Sequence, residues 1–266
     1  MKTAIISLSD EGARIATSLK DGLGDAQIFL HEKVSNTFGG RKFKSIITLT
    51  GQIFNRYDSL VYIAPCGVVV RAIAKTIGHK AADPGVVVVD AGGRFAVSLL
   101  GGHEGGANDL AIAVSNIIWG EPIITTTTEA LKSVIVGIGC RKGVKAPEII
   151  EAVDAALRKA GLARDDIRLI ASADIKRNEE GLLAAAQLLG IPLRFISSEE
   201  IRSSGRKFTR SAFVEKKVNL PAVAEPAAIL AGRRARLILP KMTSGPVTVA
   251  LARESFSWSA SAPEAL

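Results

Sequence analysis

Two α/β domains, with mainly parallel strands and peripheral hairpins, are predicted by three features of this sequence. Short apolar, β-branched runs alternate with helical patterns along most of the chain. The 266 residues are enough for one large domain or two ordinary ones, and 47% hydrophobic with 23% charged residues is a globular composition. The segment TTEALKS (127–133) separates one β-branched stretch from a fresh strand. The predicted domains are therefore 1–129 and 130–266.

Within the first domain, TAIISLS reads as a strand, and Ser9 or Asp10 can cap the helix EGARIATSLKDGL. SLVYIAP is a buried strand followed by helical GVVVRAIAKTIG, whose apolar face is interrupted by Arg71 and Lys75. GVVVVDAGGRFAVSLLGG reads as a hairpin turning at DAGG, with Asp90 in the turn. Ala107, Leu110, Ala111, Val114 and Ile118 then recur at helical spacing, and EPIITTT closes the half as a strand.

The second domain opens on the strand SVIVGIGC. The amphipathic helix APEIIEAVDAALRKAG follows, with Pro147 in its first turn and Gly161 at its end. DDIRLIASAD, NEEGLLAAAQLLG and IPLRFIS repeat strand, helix, strand, which predicts parallel pairing. AEPAAILAG is a short helix, and ARLILPKMTSGPVTVALARE a terminal hairpin. The stretch 202–217 carries six basic residues against one acidic and reads as a solvated loop, with ligand contact the alternative.

Composition narrows the function. No apolar stretch reaches the roughly 18 residues of a membrane span, and the N-terminus reads as strand and helix rather than a signal peptide. Cys66 and Cys140 are the only cysteines, so a reducing cytoplasm is expected and no disulfide framework. Three scattered histidines argue against a protein-held zinc or iron–sulfur site. Residues 1–129 hold 12 basic and 12 acidic side chains, whereas 130–266 hold 22 and 14, so the net charge of +8 sits in the second half. Such a field attracts polyanions. Only 5% of residues are aromatic, which offers few platforms for stacking bases, and no recognition-helix or zinc-finger pattern is present. An acidic small molecule is the expected ligand.

Two glycine-rich stretches are placed for chemistry. LLGGHEGGAND puts Gly101, Gly102, Gly105 and Gly106 around His103 and Glu104, just before a helix. Each glycine costs roughly 0.5–1 kcal/mol against Ala in structured backbone, so the cluster asks for close packing or close ligand approach. A helix start favours an anion. His103 can act as a general base or be a hydrogen-bonded turn histidine. Asn108 can cap the helix or orient a substrate carbonyl. VGIGCRKG runs from a strand through Gly137 and Gly139 to Cys140, Arg141 and Lys142, and then a helix. Ligands in open α/β sheets sit at the carboxyl ends of strands. The spacing is neither a Walker loop nor a full dinucleotide fingerprint. Arg141 and Lys142 can hold carboxylates; Cys140 has no His near it in sequence and is a poor nucleophile candidate. Asp83 reads as a turn initiator before Pro84. Glu225 suits a helix dipole at its helix start; it and Arg71 complete the candidate ligand contacts.

The blocks GGHEGGAN and GIGCRKG, with PIITTTTE and VAEPAAILAG, resemble the CbiG family, the cobalt-precorrin-5A hydrolases of anaerobic cobalamin biosynthesis. The resemblance covers nearly the whole chain. It departs in lacking the variable middle region that many relatives carry and in Glu129 where Asp is expected; Glu104 occupies the variable position of the motif, so no family role carries over to it. It implies a cobalt corrinoid substrate rich in acetate and propionate arms, matching the basic second half. The implied reaction opens a δ-lactone and releases acetaldehyde. Cobalt arrives within the substrate, so no cofactor is implied. A homodimer and transient contact with other corrin-pathway enzymes are compatible with it. On this basis His103 is expected to act as base or to orient the attacking water, and backbone N–H groups of Gly105–Asn108 to stabilise the oxyanion. Arg141 and Lys142 are expected to anchor carboxylates across an interdomain cleft. The competing expectations are a corrinoid-binding or handover protein without catalysis, and a generic anion- or nucleotide-binding module.

Overall fold

A computed structural model describes residues 2–206, 208–209 and 220–255. The chain divides into two compact units, 1–130 and 131–266.

In the first unit a seven-stranded sheet has the order β3-β2-β1-β4-β5-β6-β7. Its strands are β1 (Thr3–Ser7), β2 (Ala26–His31), β3 (Arg41–Phe43), β4 (Ser59–Ile63), β5 (Gly85–Val89), β6 (Phe95–Leu100) and β7 (Glu121–Ile123). All neighbours pair in parallel except β5 and β6. The pair β6–β7 therefore runs against the other five strands. Helices α1 (Asp10–Leu23) and α4 (Ala107–Ile118) cover one face, and α2 (Ile46–Ile53) and α3 (Cys66–Ile73) the other. Sheet residues buried on both faces account for the unbroken Val86–Val89 run. Between the two predicted caps of α1, Ser9 is the one used: its hydroxyl accepts from the Gly12 N–H at 3.2 Å. Such a cap is worth about 1 kcal/mol. The DAGG turn forms as read, with the Asp90 carboxylate accepting from the N–H groups of Gly92, Arg94 and Phe95.

The second unit has a five-stranded sheet in the order β10-β9-β8-β12-β11. The parallel strands are β8 (Val134–Cys140), β9 (Ile167–Ala173) and β10 (Leu193–Ile196). The hairpin β11 (Arg236–Ser244) and β12 (Val247–Arg253) adds two antiparallel pairings. Parallel pairing thus dominates the first sheet, whereas the second divides evenly. Helices α6 (Ala146–Ala160) and α7 (Glu180–Leu189) pack on one face. The other face carries α9 (Ala224–Leu230) and Ile201 of the short α8 (Ser198–Ser203). Pro147 lies in the first turn of α6, Glu148 returns a bond to the Lys145 N–H at 3.1 Å, and Gly161 ends the helix at φ 67°. Most of the basic stretch 202–217 lies outside the described residues.

Candidate functional site

The unit β6–α4–β7 organises the first site. Its two strands are parallel, so the loops leaving their carboxyl ends emerge at one edge of the sheet, as ligand-binding loops of α/β units do. One loop is Gly101–Gly106; the other runs from Ile124 into the one-turn helix α5 (Thr127–Ala130). Their side chains meet. His103 Nε2 lies 2.9 Å from the Thr128 hydroxyl, an exposed imidazole–hydroxyl pair. Asn108 Nδ2 donates to Thr126 Oγ1 at 2.9 Å, and Asn108 Oδ1 accepts from the Ser98 hydroxyl at 2.9 Å. A third loop contributes Lys80, whose ammonium pairs with Glu104 at 3.1 Å. The Glu104 backbone N–H and the Lys80 ammonium hold the Glu104 carboxyl below its ordinary range. Glu104 is thus Lys80's partner rather than that of His103.

Three expectations for this loop are corrected. Asn108 does not cap α4. Gly106 occupies the cap position in the left-handed region (φ 72°), and Asn108 sits inside the first turn, 4% exposed, bridging Ser98 and Thr126. The backbone N–H groups of Gly105–Asn108 are not an oxyanion hole, because each is already consumed. Gly105 and Ala107 donate to the Gly101 carbonyl at 3.1 and 3.0 Å, Gly106 to His103 at 3.2 Å, and Asn108 to Gly102 at 3.0 Å. The glycines serve packing more than ligand approach. A Cβ on Gly105 would lie 2.9 Å from the Gly85 nitrogen, one on Gly102 2.8 Å from the Thr126 methyl, and one on Gly101 3.2 Å from the Pro84 carbonyl. Buried Asp83 closes the neighbouring turn by accepting from the Gly78 N–H at 3.0 Å.

In the second unit the GIGCRKG turn follows β8, the strand end favoured for ligands. A cleft of about 560 Å³ opens there, lined by Lys142, Gly143, Lys145, Asn178, Glu179 and Gly181 among others. Arg141 is exposed beside it, held through its backbone N–H to the Pro246 carbonyl at 3.0 Å, and is not among the cleft walls. Buried Glu179 fixes the turn by accepting from the Gly143 N–H at 2.6 Å and from Lys176 Nζ at 3.2 Å. Burial pushes the Cys140 thiol up to about 11, with Lys176 nearby opposing the rise. A neutral thiol is no nucleophile near pH 7.

Gly137 and Gly139 face α9 rather than a ligand. A Cβ on Gly137 would lie 2.0 Å from the Ala224 carbonyl oxygen, and one on Gly139 3.3 Å from Val223. Glu225, 2% exposed, has both carboxylate oxygens occupied by the N–H groups of Lys241 (2.9 Å) and Thr209 (2.7 Å), a structural clamp rather than an open ligand contact. Arg71 stands exposed on α3, on the sheet face opposite α4, with its guanidinium on the Gly67 carbonyl at 3.0 Å.

Sequence reasoning missed Thr126, Thr128, Lys80 and Glu179. A signal was present for the threonines, since four hydroxyls follow an apolar strand at its carboxyl end. Among the described residues no group of three or more His, Cys, Asp or Glu could hold a metal ion, and no helix is long and apolar enough to cross a membrane.

Residues 48–129 match the family described as Cobalamin synthesis G N-terminal, and residues 134–252 match Cobalamin synthesis G C-terminus. The chain belongs to the CbiG family. The two matches follow one another almost directly, from 129 to 134, with no intervening region. The cobalt-precorrin-5A hydrolase of Priestia megaterium is 22% identical over 354 aligned residues, covering 94% of this chain and 94% of that protein. The enzyme of the same name from Salmonella typhimurium is 24% identical over 271 residues, covering 67% and 77%. Protein CobE of a Sinorhizobium species is 37% identical over 128 residues, 47% of this chain and 83% of that protein. The crystal structure of a CobE from the cobalamin pathway is 31% identical over 46% of this chain and 89% of its own, with a TM-score of 0.43.

Proposed function

We propose that this CbiG-family chain is a cobalt-precorrin-5A hydrolase, opening the δ-lactone of a ring-contracted cobalt corrinoid and releasing acetaldehyde. The observation that carries the reading is the loop pair at the end of β6 and β7, which gathers an exposed imidazole with two threonine hydroxyls. The names of the Priestia and Salmonella relatives support it.

In this mechanism His103 takes a proton from water as the water oxygen attacks the lactone carbonyl. The tetrahedral oxyanion collapses, the ring C–O bond breaks, and the imidazolium returns the proton to the departing alkoxide. The hydroxyl so formed sits on the extruded two-carbon unit. His103, neutral again, takes the hydroxyl proton as the carbon–carbon bond to the macrocycle breaks; the electron pair passes to the conjugated ring, which takes the proton back, and acetaldehyde leaves. Thr128, on His103 Nε2, fixes the ring orientation. In the second unit Lys142 and Lys145 line the cleft and Arg141 stands beside it, which supports a role for them in attracting carboxylate arms.

Purified protein given cobalt-precorrin-5A should release acetaldehyde, and His103→Ala should lower the rate about 10²–10⁴-fold while corrinoid still binds. Release by His103→Ala at the unmodified rate removes His103 from the mechanism. The consumed backbone donors of Gly105–Asn108 favour a second reading, a corrinoid-binding or handover protein. Under that reading the unmodified chain binds the corrinoid and releases no acetaldehyde.

A further inference from the structure

Lactone opening requires a donor at the carbonyl oxygen where negative charge develops. The loop's backbone cannot supply it from Gly105–Asn108, since those four N–H groups are spent on the carbonyls of Gly101, Gly102 and His103. With those four spent, a side chain of the facing loop pair is the donor to look for. The hydrogen-bond chain beneath the loop has a direction that selects one.

Ser98, on β6, donates its hydroxyl proton to Asn108 Oδ1. That leaves Asn108 Nδ2, which can only donate, facing Thr126 Oγ1 at 2.9 Å. The Thr126 oxygen is an acceptor in this pair, so its own proton cannot point back at the amide. Asn108 is buried and cannot rotate freely to water, whereas Thr126 is half-buried on the loop lying against Gly102, next to His103. Accepting a bond from the amide also polarises the Thr126 O–H, making it a better donor. We infer that Thr126 donates its hydroxyl proton to the developing lactone oxyanion, and that the buried Ser98–Asn108 pair is the positioning device that holds it in the donor role. The inference rests on the hydrolase reading above and gives it the donor it lacks. Asn108 then acts through Thr126 and does not touch the substrate.

The test uses the full chain, with cobalt-precorrin-5A as the probe and acetaldehyde as the readout. Thr126→Val keeps the shape and removes the hydroxyl; kcat should fall about 10²–10³-fold with KM within about threefold. Thr126→Ser restores the hydroxyl and should recover activity to within about tenfold. Asn108→Asp replaces the amide donor by a carboxylate acceptor, which turns the Thr126 proton inward; in folded protein kcat should fall as in Thr126→Val although the hydroxyl remains. A merely structural Thr126 would lower Tm in the valine variant and leave kcat intact. That result, or full activity in folded Asn108→Asp, overturns the inference while the hydrolase reading stands. If Asn108→Asp does not fold, the valine and serine variants decide alone. An unmodified chain that releases no acetaldehyde overturns the hydrolase reading, and the donor role with it.

Discussion

His103 and Cys140 sat in similar glycine-rich turns of the sequence, and their surroundings separate them. His103 is exposed and paired with a hydroxyl, whereas Cys140 is half-buried with its thiol pushed up to about 11. Cys140→Ala should therefore leave acetaldehyde release within about twofold, read in the same assay as His103→Ala. The thiol also has a consequence for stability. An unfolded cysteine titrates near about 8.5, so above that pH the unfolded chain sheds a proton that the folded chain keeps. The unfolded state then binds fewer protons, and stability falls as pH rises from about 8.5 towards 11. Urea unfolding at pH 8 and pH 10 should show the decline, and Cys140→Ala should remove this residue's share of it. Glu104 is the opposite case. Its pair with Lys80 is exposed, so Glu104→Gln should leave the unfolding midpoint unchanged.

The elements read from the sequence were legible because their signals are local, whereas β2, β3 and α2, between residues 26 and 53, were not read. Ser9 at a helix start, DAGG between two apolar runs and Gly161 after a basic last turn each fix the backbone through neighbours a few residues away. What was not legible depends on what lies opposite. EPIITTT reads as one strand, yet pairing ends at Ile123, and the threonines that follow form the loop that meets His103 and Asn108. Gly137 and Gly139 of GIGCRKG look like ligand-facing positions until α9, nearly 90 residues later, proves to fill that space, whereas Gly143 stays open on the cleft. Asn108 shows the same limit, because its partners come from two separate places, Ser98 from strand β6 and Thr126 from the loop after β7. Glycine substitutions separate the cases. Gly137→Ala meets a carbonyl oxygen at 2.0 Å and Gly181→Ala one at 1.8 Å. Each should cost about 3 kcal/mol, the upper end for overpacking. Gly51, inside α2 with open space around it, should instead gain roughly 0.5–1 kcal/mol as Ala. Chemical unfolding of the three variants checks the ranking.

At the scale of the whole molecule, each unit carries its own sheet, cores and strand-end loops, and charge is divided between them. The first 129 residues are neutral, and the excess of eight positive charges lies in the remainder. Binding of a polycarboxylate corrinoid should accordingly weaken as salt rises from 50 to about 500 mM, because screening shortens the reach of that field. Its neutral ester analogue should show little change, and equilibrium titration of both ligands measures the difference. Under the hydrolase reading proposed above, chemistry is assigned to the β6–α4–β7 loops and carboxylate attraction to the second unit. The central claim is that these loops catalyse lactone opening, and the direct measurement is acetaldehyde released from cobalt-precorrin-5A by the unmodified chain and by His103→Ala. Steady release by the first with a loss of about 10²-fold or more in the second is the predicted result. Equal release by both, or none from the unmodified chain while it binds the corrinoid, would contradict it.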